Sequence, residues 1–177
     1  MLTFEQLVED FQKLGVAEGD TLLVHSSYKS LGEVDGGPQT VVRALEAALG
    51  TNGTLIMPTF NFDFNKGVPW DVRKTRSKMG ALTEVARMDP RAKRVFHPFY
   101  SFAILGKHAE MLVRDIDKGV MTMVDPMGAL MEQAGIVRIR KIGDADVKLM
   151  KANEVYEFTA REMKRDPHLL YYIEKKE

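Results

Sequence analysis

A cluster of polar side chains follows the first apolar run of the chain and is the segment best suited to chemistry. His25, Ser26 and Ser27 end a run that starts at Thr21, and the pair Gly36–Gly37 follows. Backbone N–H groups and hydroxyls in a glycine-rich turn can bind phosphate oxygens. The plainer interpretation is that the hydroxyls satisfy their own turn backbone, which the sequence by itself favours. The loop contains neither GxxxxGK[ST] nor a tight GxGxxG, so neither a P-loop nor a dinucleotide fingerprint is predicted.

A second polar group lies later in the chain, in the segment VFHPFYSFAILG. His97 is followed by Pro98, and Ser101 stands immediately before a predicted strand, Phe102–Leu105. A histidine and a serine at a strand entrance suit the polar wall of a pocket. A Ser/His hydrolase is the alternative, but no serine of the chain lies in a GxSxG motif.

A strand–helix–strand unit is predicted to position the first cluster. The run from Thr21 to His25 and the run Thr54–Met57 are strand-like, and the segment from Pro38 to Gly50 has apolar residues at helical spacing. Two buried strands joined by a helix require a parallel crossover, so the cluster lies at the carboxyl end of the first strand, where open α/β sheets bind ligands. We therefore predict an α/β fold with a central, largely parallel sheet flanked by helices, in a single domain.

The rest of the chain supplies further helices, strands and one long loop. The long loop, Asn61–Lys78, is rich in aromatic and basic residues, and a loop of this length in a compact domain is usually functional or disordered. Its aromatic content argues against disorder. The remaining predicted elements are a capped first helix from Phe4 to Leu14, helices Ala81–Met88, Lys107–Arg114, Met127–Ala134 and Asn153–Lys164, and strands Ile136–Ile142 and Asp146–Leu149.

Composition excludes several classes of partner. The 177 residues carry 25 basic and 25 acidic side chains with no basic block, which argues against nucleic acid. No apolar run approaches the roughly 20 residues that a membrane helix needs. The chain has no cysteine, and none of its four histidines share the spacing of helix-borne ligands, so no metal site is expected. These features together predict a cytoplasmic globular protein without membrane association.

A series of motifs resembles the aminoglycoside 3-N-acetyltransferase family. They are HSSYKSLG, then GG-x-Q-T-V-x-x-A-L, LG-x-x-GTL-x-MPTF, KMGALTE and HP-x-x-SFA-x-x-G, in order from roughly Leu7 to Gly135. The resemblance implies acetyl-coenzyme A as cofactor and an amine of an amino sugar as acceptor, the chemistry of aminoglycoside antibiotic resistance. Carried onto this chain, it implies cofactor contacts by Ser26, Ser27, Tyr28, His97 and Ser101, with Thr59, Ser77, Lys78 and Met79 nearby.

The chain departs from the family after Gly135. Family members continue there with an apolar strand and a segment of L-H-x-x-E type, and the resemblance implies that its histidine and glutamate deprotonate the acceptor amine. Here MEQAG passes directly into IVRIRKIG, and no L-H-x-x-E occurs. The resemblance thus divides the single domain 1–177 into a cofactor-binding part, 1–135, and closing strands and a helix, 136–177. It leaves the catalytic base unassigned.

Three functions are consistent with these observations. The first is acetyl-coenzyme A-dependent N-acetyltransfer to an amino sugar, weakened by the missing segment. The second is a non-catalytic coenzyme A-binding module, and the third is a structural subunit, which would not explain the ordered motifs. The identity of the small-molecule amine acceptor stays open. A missing internal segment would expose a sheet edge, which favours a homo-oligomer.

Overall fold

The computed structural model describes residues 1–116 and 131–165. Its first helix, α1 (Phe4–Leu14), begins at a capping box in which the Gln6 N–H donates to Thr3 Oγ1 and the Thr3 N–H donates to Gln6 Oε1. The helix ends at Gly15, and Leu7, Phe11 and Leu14 form its buried face. The capped amphipathic helix predicted from the sequence is confirmed.

The predicted strand–helix–strand unit is also confirmed. Strand β1 (Thr21–Leu23) lies parallel to β2 (Thr54–Pro58), and helix α2 (Gly37–Leu49) connects them. Every residue of β2 is buried, as expected for a strand covered on both faces. Regular pairing of β1 stops two residues earlier than predicted, although the Val24 N–H still donates to the Ile56 carbonyl. The polar cluster therefore follows the carboxyl end of β1.

The prediction of a largely parallel sheet is wrong. The four strands lie in the order β1-β2-β4-β3, where β3 is Lys93–Arg94 and β4 is Phe102–Gly106. Strand β4 runs antiparallel to both of its neighbours, so the sheet is mixed and mostly antiparallel. The short connection 95–101 explains the β3–β4 pairing, because a parallel crossover needs about a dozen residues or more.

Helices and apolar strand residues enclose the core beside this sheet. One cluster contains Ile56, Val95, Phe102, Ile104 and Ala109, all buried. Helices α3 (Ala81–Met88) and α4 (Ala109–Ile116) agree with two predicted helices to within two residues at each end. The first half of the predicted helix Met127–Ala134 lies outside the described residues, and residues 131–133 of its second half are helical.

The chain divides into two compact units, Met1–Val120 with Lys141–Ala145, and Met121–Arg140 with Asp146–Glu177. Strands β5 (Arg138–Ile142) and β6 (Ala145–Leu149) pair with each other, and helix α5 (Ala152–Arg165) follows, close to the predicted positions. Within the second unit Met131 and Phe158 are buried in one cluster. The functional boundary near Gly135 stays a prediction.

The turn between β5 and β6 belongs to the first unit and supports the loop after β1. The Asp144 N–H donates to the Leu31 carbonyl over 3.2 Å, and Ile142 is fully buried. Gly143 has φ +56°, and a Cβ there would lie 1.9 Å from the Leu31 carbonyl oxygen. Only glycine allows this approach. The backbone after β1 is thus fixed from one side by the turn.

Candidate functional site

The candidate site lies at the edge of the sheet where three chain segments meet. His25 and the residues after it continue from β1, and Thr59 and Phe60 continue from β2. Strand β4 runs in the opposite direction, and its first residue, Phe102, pairs with Pro58, so the segment before β4 ends at the same edge. The topology therefore brings both polar groups predicted from the sequence to one end of the sheet.

A row of aromatic rings joins these segments. The ring of His25 lies 6.5 Å from that of Phe60, Phe60 lies 5.3 Å from Tyr100, and Tyr100 lies 5.7 Å from His97. The first two contacts are edge-to-face, the arrangement that aromatic quadrupoles favour. Phe62 also meets the edge of Tyr100 and remains 41% exposed. Sequence reasoning missed Phe60 and Tyr100, because only the antiparallel placement of β4 brings them together.

The loop after β1 leaves its polar side chains open. Ser26, Ser27 and Tyr28 form no side-chain hydrogen bond with any other residue that the structure describes. Ser27 precedes a 3₁₀ helix, Tyr28–Leu31, without capping it through its side chain. A Cβ on Gly37 would lie 3.8 Å from Tyr28 Oη, an ordinary van der Waals contact, so Gly37 borders this hydroxyl without crowding it. These groups can therefore bind a ligand without first breaking a protein contact.

The segment that holds three predicted site residues leads to a point close to this loop. A Cβ built on Gly80 would lie 4.0 Å from the carbonyl oxygen of Ser26, so the chain just after Ser77, Lys78 and Met79 passes beside the open loop. Lys78 Nζ donates to Asp63 over 2.6 Å, and its backbone N–H donates to the Phe60 carbonyl. The structure thus places the end of this segment, at Gly80, beside Ser26. The Lys78 side chain of the segment is already paired with Asp63.

The carboxylate of Glu84 fixes the turn at Ser77. It accepts hydrogen bonds from Arg87 at 2.7 and 2.8 Å and from the Ser77 N–H at 2.9 Å. Bonding to Arg87, with a smaller contribution from the Ser77 N–H, lowers the pKa of Glu84 to about 2. The Met79 N–H in turn donates to Ser77 Oγ. Backbone and side chain at Ser77 are therefore both held by the protein.

Thr59 and Ser101 are brought together as well, but they are fully buried. Their hydroxyls lie 2.9 Å apart, and Ser101 Oγ also donates to the Thr59 carbonyl. The guanidinium of Arg94 donates to both residues and to the carbonyls of Val72 and Thr75 in the long loop. Direct contact of these two hydroxyls with a ligand stays a prediction. Their burial favours a role in holding the long loop against the sheet.

Arg94 is the centre of this arrangement and was not identified from the sequence. Its hydrogen bonds to the described residues all end on neutral oxygens, and its guanidinium also lies 5.2 Å from the ring of Trp70. Burial, followed by the nearby charge of Arg87, lowers the pKa of Arg94 to about 10, so the group stays cationic at neutral pH. No motif marks this residue, because its partners are carbonyls whose positions only the tertiary structure defines.

The two histidines of the aromatic row differ in their hydrogen bonds. His97 Nδ1 accepts from the backbone N–H groups of Phe99 and Tyr100, at 3.1 and 3.0 Å. The ring of His25 forms no hydrogen bond with other described residues, and partial desolvation lowers its pKa below the ordinary value. At neutral pH this favours a neutral His25 ring with a free nitrogen lone pair.

The long loop encloses only a small cavity. It measures about 30 Å³, room for about one water, and is lined by seven residues that include Asn61, Asp63 and Trp70. Trp70 Nε1 is buried without a partner among the described residues. This volume is too small for a cofactor, so the open edge along the aromatic row is the better candidate for ligand binding.

Neither a metal centre nor a membrane span is found in the described parts of the chain, 1–116 and 131–165. Within them, no group of three histidine, aspartate or glutamate side chains is placed to hold a metal ion. Within the same residues no helix is long and apolar enough to cross a membrane.

Comparison with known proteins now places the chain in a family. The family model described as aminoglycoside 3-N-acetyltransferase matches residues 23–119, more than half of the sequence. The chain belongs to this family. The match includes both histidines of the aromatic row, the long loop and Arg94.

Curated relatives share this region. The SPbeta prophage-derived aminoglycoside N(3')-acetyltransferase-like protein YokD of Bacillus subtilis (strain 168) is 34% identical over 133 residues, covering 63% of this chain and 49% of YokD. Aminoglycoside N(3)-acetyltransferase III of Salmonella sp is 40% identical over 99 residues, covering 56% of this chain and 30% of the relative. The chain thus spans less than half of the length of these relatives.

Solved structures of the family have the same fold. The apoenzyme of the aminoglycoside acetyltransferase AAC(3)-IVa superposes with a TM-score of 0.83 at 21% identity, covering 95% of this chain and 91% of that one. The crystal structure of YokD gives a TM-score of 0.82 at 21% identity, covering 94% of each chain. At these identities the likeness establishes the fold and leaves the site residues to be argued separately.

Proposed function

We propose that the chain binds acetyl-coenzyme A at the open edge of its sheet and transfers the acetyl group to an amine of an amino sugar. One observation carries the proposal: the family match, 23–119, covers the segment in which Ser26, Ser27 and Tyr28 have no side-chain partner among the described residues. A reducing cytoplasm, where a cysteine-free chain needs no disulfides, is the compartment we propose.

Structures of related proteins support the choice of ligands. One neighbour is AAC-IIIb in a binary complex with CoASH, and others are mutants of AAC(3)-IVa in complex with a gentamicin or with apramycin. These ligands belong to those proteins. For this chain we propose coenzyme A as the cofactor and an aminoglycoside-like amino sugar as the acceptor.

The residues at the sheet edge fit such a cofactor. Acetyl-coenzyme A supplies an activated acetyl thioester when it is bound. Around it, the hydroxyls of Ser26, Ser27 and Tyr28 offer hydrogen bonds, and Gly37 leaves room that a Cβ would fill. Thr59 and Ser101 support it by holding the long loop, and the segment from Ser77 to Gly80 comes close to Ser26 at Gly80. His97 stands at the far end of the aromatic row.

Acetyl transfer also needs a proton acceptor. A protonated amine has no lone pair, so a base must remove a proton before the nitrogen attacks the carbonyl carbon and the thiol leaves. The sequence contains no L-H-x-x-E segment, which carries the base in the family that the chain resembles. This difference favours a second candidate function, a coenzyme A-binding module with little or no acetyltransfer activity.

Calorimetric titration with coenzyme A tests the cofactor site. We expect one site per chain, and Ser26→Trp should abolish binding because the indole fills the space beside Gly80. Thr51→Trp is the control, since Thr51 is exposed and lies beyond the opposite end of α2. Unchanged affinity in Ser26→Trp would show that the site is elsewhere.

A thiol-release assay separates the two candidate functions. The chain is mixed with acetyl-coenzyme A and a panel of aminoglycosides, beside a version that carries a family L-H-x-x-E segment inserted after Gly135. The binding-module function predicts release only in the second version. A general base typically contributes about 10²- to 10⁴-fold, so rapid release by the short chain would place a working base among its own residues.

A further inference from the structure

His97 is held in one chemical form by the turn that contains it. Its Nδ1 accepts hydrogen bonds from the backbone N–H groups of Phe99 and Tyr100, at 3.1 and 3.0 Å. A backbone N–H can only donate, so Nδ1 must present its lone pair to both. In a neutral imidazole the single ring proton then lies on Nε2. The two backbone donors therefore fix the Nε2–H tautomer of neutral His97 before any ligand binds.

The surroundings of His97 fix the orientation of its ring as well as the position of its ring proton. The His97 N–H donates to the Val95 carbonyl, and the ring packs at 6.2 Å from Phe99 and 5.7 Å from Tyr100. Pro98 restricts the backbone between the ring and its two donors. His97 is half-buried, and its Nε2 forms no hydrogen bond with any residue in the described parts of the chain. A donor of fixed position is therefore left over at the end of the aromatic row.

We propose that His97 Nε2–H donates a hydrogen bond to a carbonyl oxygen of the acyl-pantetheine arm of the ligand, and that His97 is not the base of the reaction. This inference rests on the proposed function. An uncharged carbonyl suits a single neutral donor beside Tyr100 and Phe99 better than a phosphate does, because phosphates are bound mainly by cations and clusters of backbone N–H groups.

The assignment also separates the roles of the two histidines in the row. Nε2 of His97 already carries a proton and Nδ1 is occupied, so neither nitrogen can take a proton from an amine while the turn is intact. His25 has no hydrogen bond to other described residues and keeps a free ring nitrogen. Of the two histidines in the row, only His25 is therefore left to accept a proton.

Nuclear magnetic resonance reads the tautomer directly. Long-range ¹H–¹⁵N correlation spectra of histidine-labelled protein distinguish a protonated from an unprotonated ring nitrogen, and the signals of His97 are assigned by their loss in His97→Asn. In mildly alkaline buffer we expect a proton on Nε2 and none on Nδ1. A proton on Nδ1, or an averaged mixture of tautomers, would overturn the assignment.

Addition of acetyl-coenzyme A then tests the contact. We expect the Nε2–H signal to move on binding, as a new hydrogen bond forms. If calorimetry detects binding while this signal stays unchanged, the inference fails and the proposed function survives. If calorimetry detects no binding at all, the ligand contact and the proposed function both fail, whereas the tautomer is judged by the first experiment.

Two substitutions divide the tasks of the ring. His97→Asn keeps an acceptor for the N–H groups two and three residues ahead but removes the outer donor. It should weaken coenzyme A binding about five- to tenfold at unchanged thermal stability. His97→Gln can return an N–H to the position of Nε2 and should recover part of the affinity. Unchanged affinity in His97→Asn contradicts the proposal, and His108→Asn, beyond the other end of the sheet, is the control.

Discussion

Two neighbouring loops of the candidate site use their polar groups in opposite ways. In the loop after β1, the side chains of Ser26, Ser27 and Tyr28 bond to nothing else within the described residues. In the long loop, Asn61 Nδ2 donates to the Arg76 carbonyl, Asn61 Oδ1 accepts from the Asp63 N–H, and further side chains are bonded in the same way. Polar side chains thus lack described protein partners on one side of the site, whereas on the other side they are hydrogen-bonded within the protein.

The difference follows from what holds each loop in place. Main-chain contacts fix the loop after β1, where the turn at Gly143 meets the Leu31 carbonyl, so its hydroxyls are not needed for folding. The long loop has little regular pairing and is held through side chains, above all by Arg94. A polar side chain in a loop therefore suggests ligand binding only where the loop backbone is fixed by other means.

The largest effect should follow removal of Arg94. Arg94→Met removes the donors that bind the carbonyls of Thr59, Val72 and Thr75, and it leaves the part-buried carbonyls of Val72 and Thr75 without a described partner. We expect a loss of about 3 kcal/mol in the free energy of unfolding and faster hydrogen exchange in the long loop. Urea denaturation measures the first effect and exchange mass spectrometry the second.

Arg91 provides the matched control. It is exposed and pairs with Asp89 and Glu46 on the surface, so Arg91→Met should cost less than about 1 kcal/mol. Equal losses in the two variants would mean that the long loop does not depend on Arg94. The difference between the two loops could then not be explained by side-chain bonding to Arg94.

Much of the first unit could be predicted because its signals are local. The capping box of Thr3 and Gln6, the helical spacing in α2 and the apolar run of β2 each lie within one segment of the chain. The parallel pairing of β1 with β2 follows from the length of the helix between them. The polar cluster at the carboxyl end of β1 could be placed for the same reason.

The rest of the fold and of the candidate site depends on contacts between segments that are distant in sequence. Nothing local indicates that β4 runs antiparallel beside β2, and this pairing is what puts His97 and Tyr100 near Phe60. Likewise, the sequence predicts a cofactor contact by Ser101, with Thr59 nearby. Only the position of Arg94 between them reveals that their hydroxyls are occupied.

A smaller effect, dependent on pH, is expected at the edge of the long loop. Hydrogen bonds from Arg87 and the Ser77 N–H lower the pKa of Glu84 from its ordinary 4.5 to about 2. A depressed pKa means that the stabilisation is complete above about pH 4.5 and is lost as the pH falls towards 2. Allowing for partial exposure, Glu84→Gln should cost about 2 kcal/mol at pH 7 and little at pH 2.

Urea denaturation of the wild type and Glu84→Gln at several pH values measures this difference. Glu9→Gln is the control, because Glu9 forms an exposed pair with Lys13 on α1 and should show a small difference at every pH. A difference for Glu84→Gln that does not change between pH 7 and pH 2 would mean that the carboxylate charge does not hold the turn at Ser77.

The smallest effect on the free energy of unfolding is expected when one hydroxyl is removed from each of the two loop regions. Thr59→Val removes a buried hydroxyl that bonds Ser101 and Arg94, so it should lower the free energy of unfolding by about 1 to 2 kcal/mol. Ser27→Ala removes a hydroxyl without a described protein partner and should change it by less than about 0.5 kcal/mol. Coenzyme A affinity should be reduced in Ser27→Ala, whose hydroxyl faces no competing contact among the described residues. If Ser27→Ala instead destabilises the fold as much as Thr59→Val and leaves coenzyme A affinity unchanged, Ser27 serves the fold and the loop after β1 is not the open side of the site.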